Sequence, residues 1–263
     1  MKLRVVRANP AGNITLYVLD PVEKKDRGPL AEKLLAMPEF AAEQVGYRCE
    51  AAPEFDGHME MAGGEFCGNA TRAYGMLMAL EKGMTGRQKL TLEVSGCETP
   101  VEVELDVEAG TAKAQMPLPR FVRPETVAGT KGILVHLGGI AHFVVDGVEP
   151  AKEYFDEAEK AIFAPMTELD AYGVMFRDSA SGKLTPLVKV PAANSLYWEG
   201  SCGSGSLATV IAETEGEPDG DYAKDLIQPA GTVRAEVVRK GGRVVKAFIG
   251  GNVTIDAPVE VEV

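Results

Sequence analysis

Two cysteines occupy the positions in this chain where side-chain chemistry is most readily placed. Cys67 and Cys202 each precede a glycine and an apolar segment that is typical of a buried helix. The partial positive charge at a helix N-terminus favours a thiolate, so we expect each thiol to have a lowered pKa. Two such groups on opposite sides of one carbon can remove an α-proton from one face and return a proton to the other. The pair therefore predicts amino-acid racemisation.

The carbanion formed by this proton transfer needs stabilisation. The backbone N–H groups of Gly68 and Asn69, and those of Gly203 and Ser204, lie in the first turns of the predicted helices, where they have no helical acceptor and suit a substrate carboxylate. This chemistry needs no pyridoxal-type cofactor, and no motif for one is present. Either Cys-Gly pair alone is also compatible with a packed helix start, but two of them at equivalent positions favour catalysis.

The segments around the two cysteines indicate an internal duplication. Each copy contains a strand after a glycine turn, an apolar helix and a later hairpin with glycine at its turn. The cysteines are offset by 135 residues (202 minus 67) and the hairpins by 133 (232 minus 99). In the first copy these elements are residues 9–20, 66–83 and 99–117, and in the second they are 138–147, 201–216 and 232–250.

This pattern predicts an α+β fold with two pseudo-symmetric lobes, each a curved, mostly antiparallel β-sheet wrapped around a central helix. We expect an N-terminal lobe over residues 1–120 and a C-terminal lobe over residues 121–263, with the proline-rich segment 116–125 as the linker. The last strand, within residues 252–263, could pair with either lobe.

Composition limits the partners. The net charge is −12 and lysine and arginine do not cluster, which argues against nucleic acid or an anionic membrane and favours a small-molecule substrate. No apolar run reaches the roughly 18 residues of a membrane span, and no secretory signal is evident, so a cytoplasmic location is expected. The four cysteines are isolated and the three histidines lack ligand spacing, which predicts free thiols and no metal site.

The chain resembles the diaminopimelate epimerase-like superfamily of isomerases that use neither metal nor pyridoxal, and the resemblance runs nearly end to end. Its best anchors are the turns Phe66–Thr71 and Ser201–Gly205. The resemblance implies Cys67 and Cys202 as catalytic residues and a homodimer. It implies further substrate-binding residues at Asn13, Glu43, Gln44 and Glu199.

Within that superfamily the motifs are most similar to the histidine racemase branch. Shared segments are residues 9–13 (NPAGN), 43–46 (EQVG), 63–71 (GGEFCGNAT), 94–97 (VSGC) and 199–205 (EGSCGSG). The diaminopimelate epimerases have an arginine where Gly200 stands, and asparagines where this chain has Ile140 and Gly173. Without these distal groups the charged end of diaminopimelate would be buried unpaired. The resemblance therefore implies interconversion of L- and D-histidine.

Two alternatives remain open from the sequence. One is an epimerase or racemase of the same fold that acts on another amino acid, including diaminopimelate or a proline derivative. The other is a non-catalytic ligand-binding protein or a thiol-redox protein that kept the fold without the isomerase chemistry.

Overall fold

The chain folds as two units. The computed structural model describes residues 2–191 and 195–263. The first unit contains residues 2–115 and 250–263, and the second contains residues 116–249. Up to residue 115 the elements are β1 Lys2–Asn9, β2 Thr15–Val18, α1 Lys24–Leu35, β3 Gln44–Cys49, β4 Gly57–Met61, α2 Gly68–Glu81, β5 Arg87–Val94, β6 Val101–Asp106 and β7 Thr111–Gln115.

The remaining elements follow in chain order. Those that begin in the second unit are β8 Phe121–Val127, β9 Thr130–His136, β10 Ile140–Asp146, α3 Lys152–Ala158 with a π-helix at Glu159–Phe163, β11 Ala171–Asp178, β12 Lys183–Val190, β13 Ser195–Trp198, α4 Gly203–Glu213, β14 Gly220–Gln228, β15 Gly231–Lys240 and β16 Arg243–Asn252. The chain ends with β17 Thr254–Ile255 and β18 Val259–Glu262.

Strand pairing in the first unit alternates between antiparallel neighbours and parallel pairs joined by a helix. Strands β1 and β2 are antiparallel, β2 and β3 are parallel across α1, β3 and β4 are antiparallel, and β4 and β5 are parallel across α2. Two parallel strands need such a crossover because the chain must return to the starting end of the sheet between them, which a tight turn cannot do. Strands β5, β6 and β7 then form an antiparallel meander.

The C-terminal strands belong to the first unit. Strand β18 runs antiparallel to β1 with Leu3 opposite Val261, and β17 pairs with the other end of β1 at Ala8 and Ile255. The pairing of residues 252–263, which the sequence left open, is therefore with β1.

The second unit repeats the same pairing order. Strands β9 and β10 are antiparallel, β10 and β11 are parallel across α3, β11 and β12 are antiparallel, β12 and β14 are parallel across α4, and β14 and β15 are antiparallel. Strand β8 is added beside β9 and β13 beside β12. The predicted class, α+β with mostly antiparallel strand pairs and few helices, is confirmed.

Each unit has one enclosed helix. Nearly every residue of α2 from Gly68 to Leu77 is buried, and so is α4 from Gly205 to Ile211. Gly75 lets α2 approach the sheet closely, because a Cβ there would lie 2.7 Å from a methyl group of Val103. Both predicted helices are confirmed to within three residues at each end. In the described part of the chain, none of the helices combines the length and apolarity needed to cross a membrane.

The prediction of a linker over residues 116–125 is wrong in its second half. Strand β8 starts at Phe121 and pairs with β9 along its whole length, with Pro124 opposite Ile133. A proline lacks only its N–H and can occupy a strand where no partner needs that donor. Three prolines in the ten residues 116–125 therefore did not exclude a strand.

Candidate active site

The two cysteines cap the two enclosed helices in the same way. Cys67 precedes α2 in an extended conformation, and its Sγ accepts a hydrogen bond from the backbone N–H of Ala70 at 3.4 Å. Cys202 precedes α4 in a nearly identical conformation, and its Sγ accepts from Gly205 N–H at 3.3 Å. Each sulphur thus occupies the place that a Ser or Asp oxygen takes in an ordinary N-cap.

A glycine turn after β5 fixes the backbone that leads into Cys67. The hydroxyl of Ser95 donates to Glu65 O at 2.7 Å and accepts from Met61 N at 2.8 Å. Gly96 has φ of +74°, and a Cβ there would overlap the backbone nitrogen of Phe66. Ser95 and Gly96 of the VSGC motif therefore determine the shape of the turn that leads into Cys67.

The second unit supports its cysteine from the equivalent place, the end of β14. The buried amide of Gln228 accepts from Cys202 N at 2.7 Å and donates to the Ser206 hydroxyl at 2.8 Å. Ala230 N donates to Gly200 O at 2.8 Å. The backbone entering α4 is thus held by the segment that follows the next strand, as in the first unit.

A polar cluster adjoins Cys67. The side chain of Asn13 donates to Glu43 at 2.8 Å and accepts from Gln44 at 2.9 Å. The Cys67 Sγ lies 3.8 Å from the same Asn13 oxygen, within the range of a thiol hydrogen bond. Parallel pairing of β2 with β3, with Thr15 opposite Gln44, brings these two strand starts together. The structure therefore places Asn13, Glu43 and Gln44 in one cluster with Cys67.

The side chain of Asn69 faces inward instead. It is almost fully buried and accepts from the guanidinium of Arg72 at 3.1 Å. Arg72 also donates to the carbonyls of Gly251 and Asn252. Asn69 therefore offers a ligand only its backbone N–H, next to that of Gly68 in the first turn of α2.

A different polar set adjoins Cys202. The Ser204 hydroxyl lies 3.6 Å from Cys202 Sγ and 2.9 Å from Nε2 of His142. Burial raises the pKa of the Cys202 thiol most, and the charge of the Glu199 carboxylate and its hydrogen bond with the thiol raise it further. Ser204 and Glu199 thus lie beside the Cys202 thiol, and Gly203 follows it as the first residue of α4.

Both thiols have raised pKa values, so the expectation of lowered values is wrong. Burial is the largest cause for Cys67, and the N–H groups of Ala70 and Asn69 and the amide of Gln44 only partly offset it. Burial and then Glu199 raise the pKa of Cys202 well above its ordinary value. Desolvation of a thiolate at these enclosed helix starts outweighs the favourable amides.

Two residues near the cysteines were missed from the sequence, Tyr17 and His142. Tyr17 of β2 lies opposite Gly46 of β3, and His142 of β10 lies opposite Gly173 of β11. The Tyr17 hydroxyl donates to Ala70 O at 2.6 Å, in the first turn of α2, while His142 contacts the first turn of α4. Overlaying the two copies strand by strand would have placed these residues on one another.

The other two cysteines lie away from helix starts. Cys49 ends β3 and accepts a hydrogen bond from Arg27 at 3.3 Å, and Cys97 packs partly buried against the core around α2. All four cysteines are free. Within residues 2–191 and 195–263, no three His, Cys, Asp or Glu side chains are grouped so that they could hold a metal ion.

The fold is shared with solved structures that have low sequence identity to this chain. The structure is similar to a PhzF-family phenazine biosynthesis protein of Bacillus anthracis, with a TM-score of 0.73, 12% sequence identity and 100% of both chains covered. It is also similar to a probable proline racemase of Agrobacterium radiobacter K84, with a TM-score of 0.62 and 16% identity over 99% of this chain and 93% of the other.

Comparison of the amino-acid sequence identifies the family to which the chain belongs. The family described as "Histidine racemase CntK N-terminal domain" matches residues 2–261, and the chain belongs to that family. A histidine racemase of Fusobacterium nucleatum subsp. nucleatum is 30% identical, covering 98% of this chain and 94% of the relative. A histidine racemase of Staphylococcus aureus strain Mu50 is 29% identical, covering 86% and 85%. The protein is therefore an isomerase, an amino-acid racemase of the superfamily that the motifs indicated.

Proposed function

We propose that this racemase interconverts L- and D-histidine by two-base proton transfer between Cys67 and Cys202. The observation that carries the mechanism is the matching cap, in which each Sγ accepts the N–H of the third residue beyond it at the start of a buried helix. The choice of histidine rests on the family and on its relatives in Fusobacterium and Staphylococcus, which are histidine racemases.

The reaction needs one thiolate and one thiol at a time. The thiolate takes the α-proton, the electron pair of the C–H bond spreads into the substrate carboxylate, and the opposite thiol then gives its proton to the other face of Cα. The two sulphurs end with exchanged protonation states, and a proton exchange resets them. The mechanism requires each sulphur to come within about 3 to 3.5 Å of the carbon, on opposite sides.

The carboxylate of the substrate gains charge as the proton leaves. We assign its binding to the first-turn N–H groups of Gly68 and Asn69 and of Gly203 and Ser204, since helix N-termini favour anions. The hydrogen bonds from these N–H groups become stronger as negative charge develops on the carboxylate. They therefore stabilise the transition state more than the bound substrate and lower the activation barrier.

The α-ammonium and the imidazole need acceptors. We assign the ammonium to the cluster beside Cys67, where Glu43 is held by Asn13 and Asn13 by Gln44. We assign the imidazole to Glu199, which supplies a second carboxylate beside Cys202. Replacement of Glu43 by Gln should therefore raise KM more than it lowers kcat, whereas a cysteine replacement should act on kcat.

Deuterium exchange tests the substrate. The purified protein is incubated with single L-amino acids in D2O, and loss of the α-proton signal and of optical rotation is followed together. L-Histidine is expected to racemise with α-deuterium in the product. The panel includes L-proline, trans-4-hydroxy-L-proline and diaminopimelate, and turnover of one of these without turnover of histidine would overturn the substrate assignment.

Cysteine variants test the mechanism. Cys67→Ser and Cys202→Ser should each lower kcat for racemisation by a factor of about 10² to 10⁴, because one acid–base group is lost. Cys97→Ser is the matched control, since that thiol is partly buried but lies at no helix start, and it should retain activity. Racemisation at the wild-type rate by Cys202→Ser would refute the two-thiol mechanism, and histidine binding without racemisation by the wild type would favour a ligand-binding protein.

The resemblance also implies a homodimer, which is part of the proposal. Light scattering of the purified protein should give twice the chain mass of 28.0 kDa. A monomer that racemises histidine at full rate would remove this part alone.

A further inference from the structure

A buried histidine is linked to Cys202 through one hydroxyl. Nε2 of His142 lies 2.9 Å from Ser204 Oγ, and Ser204 Oγ lies 3.6 Å from Cys202 Sγ. The His142 side chain has no exposed surface, and its Nδ1 is buried with no hydrogen-bond partner among the described residues. Within the described part of the chain, the hydroxyl of Ser204 beside Cys202 is thus the single polar contact of the ring.

This contact fixes where the ring proton resides. The ring is neutral, because burial lowers the pKa of His142 to about 3. A neutral imidazole carries one N–H and one lone pair. If the proton were on Nδ1, a buried N–H would have no acceptor among the described residues, and folded proteins leave a buried N–H unpaired more rarely than a buried lone pair. With the proton on Nε2, the ring donates to Ser204 Oγ.

The orientation of the Ser204 hydroxyl follows from that tautomer. An oxygen that accepts from His142 must send its own proton elsewhere, and the Cys202 Sγ is the acceptor that the structure places within reach. A hydroxyl that donates to sulphur stabilises the thiolate relative to the thiol. Its effect opposes that of the Glu199 carboxylate, which favours the protonated thiol.

The equivalent position in the first unit does not supply such a donor. Tyr17 gives its hydroxyl proton to the backbone carbonyl of Ala70, not to a side chain beside the sulphur. Cys67 instead faces the Asn13 oxygen, an acceptor that favours the protonated thiol. The two thiols thus have different side-chain neighbours although their caps are the same. Cys202 has the Ser204 hydroxyl and the Glu199 carboxylate, whereas Cys67 has the amide groups of Asn13 and Gln44.

The geometry points to His142 as a positioning residue that, through Ser204, supplies a hydrogen-bond donor to the Cys202 thiolate. This inference rests on the proposed function, since it assigns the thiolate form of Cys202 a place in the reaction. His142 itself does not touch the substrate and stays neutral throughout. Its contribution is to keep the Ser204 proton directed at sulphur.

Nuclear magnetic resonance tests the tautomer without any turnover. Long-range ¹H–¹⁵N spectra of the wild type, with His142 assigned by its loss in His142→Gln, should show a neutral Nε2–H ring at neutral pH. A ring protonated on Nδ1 would overturn the inference, because Ser204 would then have to donate to histidine.

Titration of Cys202 tests the consequence. In a Cys67→Ser background with ¹³Cβ-labelled cysteine, adding Ser204→Ala should raise the midpoint of the Cys202 titration by about 1 to 2 pH units, or move it beyond the accessible range. Ser204→Thr, which keeps the hydroxyl, should restore the parent midpoint. An unchanged midpoint in Ser204→Ala, or a parent Cys202 that stays protonated throughout, would overturn the inference.

Activity separates this inference from the proposed function. If racemisation occurs and the two spectroscopic results fail, only the role of His142 is lost. If the spectroscopic results hold and no amino acid racemises, the proposed function fails while the hydrogen-bond chain stands. His142→Gln, whose amide can still donate to Ser204, should keep more activity than His142→Phe, which cannot.

Discussion

Mild acid should destabilise this protein through His142. The imidazole is completely enclosed, and burial lowers its pKa to about 3 from an ordinary value of 6.5. Between these two values the unfolded chain binds one more proton than the folded chain. The free energy of unfolding therefore rises with pH in this window and is lost as the pH falls below about 6.5.

The size of the effect follows from the two pKa values. With an unfolded value of 6.5 and a folded value of about 3, the contribution at about pH 5.5 is a loss of about 1 to 2 kcal/mol relative to about pH 8. Carboxylates also titrate below neutrality, but they do so in every variant. For each variant we take the change in the free energy of unfolding between the two pH values. Comparing this change between variants isolates the contribution of the histidine.

Urea unfolding at the two pH values measures this quantity. His142→Gln removes the titrating ring, so its stability should fall between about pH 8 and 5.5 by about 1 to 2 kcal/mol less than that of the wild type. Val144→Ala, two residues along the same buried strand, is the matched control. It should lose stability equally at both pH values. If His142→Gln behaves like Val144→Ala, the ring is protonated or hydrated in the folded protein and the reasoning is wrong.

Three further predictions concern the helix starts. Gln228→Ala leaves the buried N–H of Cys202 unpaired and should cost about 2 to 4 kcal/mol in urea unfolding, and a loss below about 0.5 would contradict this. Gly46→Ala puts a Cβ 2.9 Å from the Tyr17 ring and should cost about 1 to 3 kcal/mol and lower kcat. Its control, Gly28→Ala, has no atom within 4 Å of the new Cβ and should be neutral or stabilising. Finally, kcat/KM for histidine should rise by up to about tenfold per pH unit between about pH 7 and 8.5, because both thiol pKa values are raised, and a polarimetric plateau below about pH 8 would refute this.

Local sequence signals were enough to predict the elements that hold the cysteines. The Cys-Gly pairs followed by apolar residues predicted α2 and α4, and the hairpin pattern over residues 99–117 predicted β6 and β7. These features are encoded by neighbouring residues, so they can be predicted without knowledge of the tertiary structure. The grouping of Asn13, Glu43 and Gln44 could be expected only from resemblance, because thirty residues and a helix separate the two segments.

The electrostatics could not be predicted in the same way. The pKa of each thiol depends on how completely distant segments enclose it. Around Cys202, Glu199 comes from the loop before α4, Gln228 from the end of β14, and His142 of β10 acts through Ser204. A local rule, that helix N-termini lower a thiol pKa, therefore gave the wrong sign. The rule describes one contribution correctly, but desolvation is set by the whole unit.

The raised pKa values of the two thiols are compatible with two-base catalysis, but they change which property of the thiolate limits the rate. An α-proton of an amino acid is far less acidic than a thiol, so a stronger base gains more in the transition state than a weak one. A buried thiolate is a stronger base than a hydrated one, but burial also makes it scarce at neutral pH. A donor such as the Ser204 hydroxyl increases the thiolate population and lowers its basicity together, whereas Glu199 does the reverse. Replacing Glu199 with Gln should therefore move the rise of kcat/KM to lower pH while lowering its plateau, and a plateau that is raised instead would show that basicity does not limit the reaction.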